Sequence, residues 1–279
     1  MKGRSLRAAA LIATLAVLFP AAGCMRIGQD IVVFPDGSGK MTVKIGVNVE
    51  MMEKLKGMGG NAQEADEKMG FTFDSLDKID GIVAFARPVT EEKDGWKTTT
   101  ITAYFEDINK VKFWDKKGEE RKEQISFAFK AEGEGHVLEI EDRMLSNGDD
   151  GKADDAPDEM KEQIWEKIQE FLKGFEVSHG VKMPGAVTAV EGYATKAGRT
   201  ASSKVGQDDL KNLDDLGKAM KGGKRKITSG KSEVSDDDKA AFKKEMADAK
   251  AEWPKVKEEM KAEHEKRKKN REEDREQDE

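Results

Sequence analysis

The chain has 279 residues, a formal net charge of −7, 38% charged and 37% apolar residues, 6% aromatics and a single cysteine. Its length allows about two ordinary domains, and its hydrophilic balance places part of the chain outside any packed core. One cysteine excludes an intrachain disulfide framework and zinc sites built on two or more thiolates.

Met1 to Arg7 carries Lys2, Arg4 and Arg7; Ala8 to Phe19 is apolar except for Thr14; and Pro20-Ala21-Ala22-Gly23 leads up to Cys24. This is the cationic, apolar and small-residue order of an export signal, here residues 1–23. The apolar run falls short of the roughly 20 residues that a spanning helix needs, so retention as a membrane span is the weaker reading. Leu18 to Cys24 resembles the lipobox of bacterial lipoproteins, in which the cysteine is acylated and becomes the first mature residue; Ala21 stands where Leu is commonest. The resemblance implies lipidation at Cys24, with palmitate-type chains that each contribute about 0.8 kcal/mol per buried CH₂. It implies a bacterial envelope location. Met25 follows where Asp would retain a lipoprotein in the inner membrane, so the expected site is the outer membrane, facing the periplasm. Removing three signal cations takes the formal charge from −7 to −10. An acidic chain argues against nucleic acid as a partner and against electrostatic adhesion to anionic lipids.

Gly28 to Phe34 and Lys40 to Asn48 are β-rich runs joined by Pro35-Asp36-Gly37-Ser38-Gly39, a turn segment. In the second run Met41, Val43, Ile45 and Val47 alternate with polar residues or glycine, so one face of this hairpin is buried. The domain starts within roughly 20 Å of Cys24 at about 3.3 Å per residue. Glu50 to Met69 is Met- and charge-rich, broken by Gly57, Gly59 and Gly60, and predicts a weak helix and a loop. Ile82 to Ala86 and Trp96 to Phe105 are the next strands, with a turn over Glu91 to Gly95, and a short helical turn follows Phe105 and ends near Trp114. Gln124 to Ala131 and His136 to Glu141 predict a second hairpin. Asp154 to Leu172 is the strongest helix: Met160, Ile164, Ile168, Phe171 and Leu172 recur at helical spacing, Asp154 and Asp155 can cap it, and Gly174 stops it. Strands are expected at Phe175 to Val181, Ala186 to Gly192, Arg199 to Val205 and Lys226 to Ser229, and a helix at Asp208 to Met220. Hairpins with helices on one face make an α+β domain over residues 24–230, a curved antiparallel sheet packed against one or two helices.

Residues 231–279 form a charged, helix-prone tail with 31 charged residues in 49. Such a segment cannot fold as a separate globule. Ser235 and Asp238 form a capping-box pattern, and Phe242, Met246, Ala249, Trp253, Val256 and Met260 follow heptad a/d spacing. Two uses fit this stripe: docking back on the chain's own domain, or pairing with a helical protein partner or a second copy through Phe242, Met246, Trp253, Val256 and Met260. Pro254 removes an amide donor inside the stripe and predicts a kinked helix. Fully helical, the tail is about 70 Å long.

The lipobox, Asp36-Gly37-Ser38-Gly39, Phe105-x-Asp107-Ile108 after a Thr-rich strand, and Pro184-Gly185 together resemble a family of bacterial lipoproteins with an LppM-like domain and a DGSG first hairpin. The resemblance covers about residues 18 to 230. It implies a curved antiparallel sheet packed on helices, allows a lipid-sized hollow between them, and supplies no catalytic residue.

No GxSxG, HExxH, Walker A or GxGxxG pattern occurs. His136, His179 and His264 share no register that would make a metal pair. Asn147 to Asp158 is acidic enough for calcium but lacks the ligand alternation of an EF-hand, and fits a solvated loop that caps the next helix. No cofactor is expected. The sequence points to a non-enzymatic envelope lipoprotein that binds an apolar ligand or an envelope partner. The alternative is an envelope hydrolase or calcium-dependent enzyme built from scattered carboxylates.

Overall fold

The computed structural model describes residues 25–50, 53, 79–117, 120–143, 158–169, 172–220 and 222–278. Among them are fourteen strands in two sheets and three α-helices. The expected α+β class holds, with strands shared between two facing sheets rather than one.

The first sheet contains β1 (Met25–Val33), β2 (Gly39–Asn48), β4 (Ile82–Phe85), β5 (Val89–Lys93), β6 (Trp96–Phe105), β10 (Glu176–Lys182), β12 (Thr195–Ala197) and β13 (Thr200–Gly206). Its order is β12-β13-β10-β1-β2-β6-β4, with β5 also on β6. The second contains β3 (Ile79–Asp80), β7 (Lys112–Lys117), β8 (Glu120–Glu132), β9 (Gly135–Asp142), β11 (Gly185–Glu191) and β14 (Lys224–Ser232), in the order β11-β14-β9-β8-β7-β3. Every ladder is antiparallel except β1 with β10, which is parallel from Arg26↔Glu176 to Val32↔Lys182. One parallel pair is thus added to the antiparallel hairpins expected. Pairing between segments 150 residues apart leaves no mark in either strand's own pattern.

The helices are α1 (Asp158–Gln169), α2 (Leu213–Met220) and α3 (Asp236–Asp278). The stretch expected as one helix from Asp208 divides into a 3₁₀ turn, Gln207–Asp209, and α2, because Asn212 starts a new helix: its Oδ1 accepts from the Asp215 amide at 2.8 Å. The turn expected to end near Trp114 is a 3₁₀ turn, Ile108–Lys110, followed by strand β7. Strand β1 starts at Met25, three residues earlier than expected and next to Cys24. Most of the weak helix expected over Glu50 to Met69 lies outside the described residues.

Three apolar layers hold these elements. Between the sheets, Ile31, Val33, Met41, Phe105, Phe127, Leu138, Ile140, Val181 and Ile227 form the central core. Ile168 and Leu172 at the end of α1 pack with Leu210 and Leu216 of the α2 region, and with Val177 of β10 and Val205 of β13. The α1 stripe therefore lies across the β10–β13 part of the first sheet, as its periodicity predicts. The third layer covers the outer face of that sheet: Val32, Phe34, Val83, Ala84 and Tyr104 meet Phe242, Met246, Ala249 and Trp253 of α3. Phe34 and Phe242 stack at 4.3 Å between ring centroids, and Phe85 lies 5.1 Å from Trp253. Val256 is buried as well.

The α3 stripe thus serves the chain's own domain. Ser235 caps the helix, its Oγ accepting from the Asp238 amide at 3.0 Å. The Asp238 carboxylate accepts from Ser235 in return, which completes the box and holds that carboxyl below the usual range. The helix is continuous through Pro254, which lies exposed.

Phe242→Ala removes the ring that fills this layer. Urea unfolding should show a loss of about 3 kcal/mol. A loss below about 1 kcal/mol would show that α3 is not an integral layer.

Candidate functional site

Three of the four motifs that carry the family resemblance meet at one corner; the lipobox lies outside the described residues. In the first hairpin Asp36 Oδ1 accepts from the Ser38 amide at 3.1 Å and from Ser38 Oγ at 2.5 Å, while Gly37 takes a positive φ of 82°. A Cβ on Gly39 would sit 2.0 Å from the Val32 carbonyl oxygen and 2.7 Å from the Phe105 ring, so only glycine fits there. The Ile108 amide donates to the Gly37 carbonyl at 2.9 Å, and Asp107 Oδ1 accepts from the Asn109 amide at 3.0 Å. Asn109 then acts as a strand residue toward Phe129, accepting from its amide at 2.6 Å and donating to its carbonyl at 3.2 Å. The Pro184 carbonyl accepts from the Glu233 amide at 2.9 Å, where the chain leaves β14 for α3, and a Gly185 Cβ would clash with the Gly230 and Lys231 carbonyls. These residues close the sandwich at one end and launch α3. Their polar groups bond to the backbone and to one another.

A small polar pocket opens between the two sheets, lined by Gln29, Asp142, His179, Tyr193 and Arg225 among apolar neighbours. Its volume of about 10 Å³ is room for one water, far from that of an acyl chain. Gln29 Oε1 lies 3.3 Å from His179 Nδ1, and Gln29 Nε2 donates to Met41 Sδ at 3.3 Å. Burial, with the Arg225 charge second, pushes the His179 pKa down to about 4, against a smaller upward pull from Asp142. The ring is therefore neutral at physiological pH. Burial raises the Tyr193 hydroxyl pKa, and Arg225, 5.9 Å from the ring centroid, opposes the rise. The pocket can hold a water against a neutral imidazole; its lining includes no thiol, serine or threonine.

Cys24 lies outside the described residues, as does the acidic segment from Asn147 to Pro157. Asp158 opens α1. The three histidines stand on three elements: His136 on β9, His179 on β10 and His264 on α3. His136 stacks on Phe129 at 5.2 Å, at the sandwich corner. Among the described residues no group of three His, Cys, Asp or Glu is placed to hold a metal ion.

Sequence reasoning missed the polar ties that flank the α3 stripe. Lys40 Nζ donates to Glu245 at 2.7 and 2.9 Å, and Tyr104 Oη donates to the same carboxylate at 2.9 Å. Burial, reinforced by the Glu245 charge, raises the Tyr104 pKa far above its ordinary value. Arg87, just after β4, bridges Glu252 at 3.3 Å and Glu259, and Lys250 reaches Glu106. A Glu or Lys every few residues on a charged helix carries no signal of which ones meet the domain.

No family model matches the chain, and no curated protein matches it. Among solved structures it is similar to the NMR structure of the Mycobacterium tuberculosis LppM folded domain, with 10% sequence identity and a TM-score of 0.34 over 78% of this chain and 94% of that one.

The depressed His179 pKa links folding to pH. Its folded value of about 4 lies below the ordinary 6.5, so the stabilisation is complete above pH 6.5 and is lost as pH falls from 6.5 through 4. The full effect is about 3 kcal/mol. His179→Gln should flatten the stability curve over that window, and the His179 imidazole resonances of the parent, assigned by their loss in that variant, should not move between pH 7 and about 5. A normal titration near pH 6.5 would contradict the buried, neutral ring.

Proposed function

We propose that this chain is a non-enzymatic lipoprotein of the bacterial cell envelope, acylated at Cys24 and held in the outer membrane facing the periplasm, where it engages an envelope partner. One observation carries the reading: the chain's only cysteine closes an export-signal pattern and is followed at once by the first strand of the domain. A folded body that begins at Met25 sits directly on its anchor. Two acyl signals hold a protein stably where one does not. The inter-sheet pocket is water-sized and polar, so it is not itself a site for an acyl chain.

The far side of the body supports the same reading. Eight residues of β1 separate Met25 from Val33, about 26 Å of strand, and α3 crosses the sheet near the Val33 end, over Phe34, Lys40 and Tyr104. α3 therefore meets the sheet at the end of β1 opposite the proposed anchor.

Growth of the expressing bacterium with a radioactive fatty acid tests the anchor. Label should enter the parent chain and be absent from Cys24→Ser, with the parent in the outer-membrane fraction. An unlabelled parent chain would overturn the reading.

A further inference from the structure

The first sheet consists of two halves that share one ladder. β2, β6, β4 and β5 lie on the β1 side, β13 and β12 lie beyond β10, and among the described residues only the parallel β1–β10 pairing joins them within the sheet. Each half carries its own helical layer. α3 covers Val32, Val83, Ala84 and Tyr104 of the first half, whereas the α1–α2 cluster packs on Val177 and Val205 of the second.

The joint itself is thin. Parallel pairing is slightly weaker per residue than antiparallel, and the Gly28↔Ser178 and Asp30↔Gly180 pairs each lack a second side chain. On the core side Gln29 faces His179, a polar pair set between Ile27↔Val177 and Ile31↔Val181. Gln29 Nε2 donates to Met41 Sδ, so Gln29 Oε1 is turned to His179 and accepts from its Nδ1 at 3.3 Å. The neutral ring therefore carries its proton on Nδ1, and an added proton goes to Nε2.

The surroundings oppose that second proton. Arg225 of β14 offers only donors and positive charge, and the Tyr193 hydroxyl, after β11, bonds Arg225. Asp142 of β9 is the acid that faces the ring, and its pull is smaller than the opposing effects of burial and Arg225. On the two neighbouring strands Gln29 and Ser203 are uncharged. Together these groups hold the closed form at a pKa of about 4, and release to water restores the ordinary 6.5.

We propose that the β1–β10 ladder is an acid-sensitive joint: proton uptake at His179 Nε2 frees the β10–β13–β12 half, with α1 and α2, from β1, while the half under α3 stays folded. Opening withdraws Val181 and Ala201 from the central core, which keeps the joint closed at neutral pH. Water hydrates the imidazolium only in the open form, so falling pH shifts the population toward it.

Native-state hydrogen exchange of the full chain along a guanidinium series tests this. Amides of β10 and β13 should share an exchange isotherm that is lower and shallower than that of β2 and β6. In the parent their protection should fall about fiftyfold between pH 7 and pH 4.5, as expected for a group whose pKa moves from about 4 to 6.5 on opening. In His179→Gln the fall should be less than about fivefold. Arg225→Gln removes the opposing cation and should also shrink the response. A single isotherm for β10, β13, β2 and β6, or an undiminished response in either variant, overturns the proposal.

Discussion

The last residues of β1 and strand β4 are apolar on both faces, and the architecture follows from that. Ile31 and Val33 point into the sandwich while Val32 and Phe34 point out of it, and Val83 and Ala84 join them in the outer layer. A sheet with an apolar outer face must be covered. The only cover the described chain supplies is the first half of a helix that is otherwise among its most charged segments. Phe242, Met246, Ala249 and Trp253 provide the contact, and the Lys40, Tyr104, Arg87 and Glu106 ties flank it. The ties are half-exposed and individually weak. They set the helix's position, whereas the buried rings supply most of the energy.

Several of these features are legible in the sequence once their cause is known. Ile31-Val32-Val33-Phe34 and Ile82-Val83-Ala84-Phe85 are unbroken apolar runs, the mark of strands buried on both sides. Beside them β6 alternates, with Thr98, Thr100 and Thr102 on the outward face. The capping box, the a/d stripe and the tight Asp36–Gly39 hairpin also follow from local chemistry, since each depends on residues within a few positions of one another. The rest depends on distant pairing. The parallel β1–β10 ladder, strand β7, and the meeting of Gln29, Asp142, His179, Tyr193 and Arg225 arise only when remote strands come into register.

The same distinction separates structural motifs from functional ones. The Asp36–Gly39 turn, Asp107, Asn109 and the Pro184-Gly185 step make a recognisable pattern, yet in space they bond to backbone and close one corner of the sandwich. The pattern therefore describes how the domain is built. The chemistry proposed for the molecule lies before its first strand instead, at an acylated Cys24.

The central claim is that the first half of α3 is a layer of the domain. Native-state amide hydrogen exchange tests this residue by residue. Amides from Phe242 to Val256 should exchange about as slowly as those of β1 and β2, through global unfolding, while those beyond His264 should exchange orders of magnitude faster. Uniformly fast exchange from Asp236 onward would contradict the account.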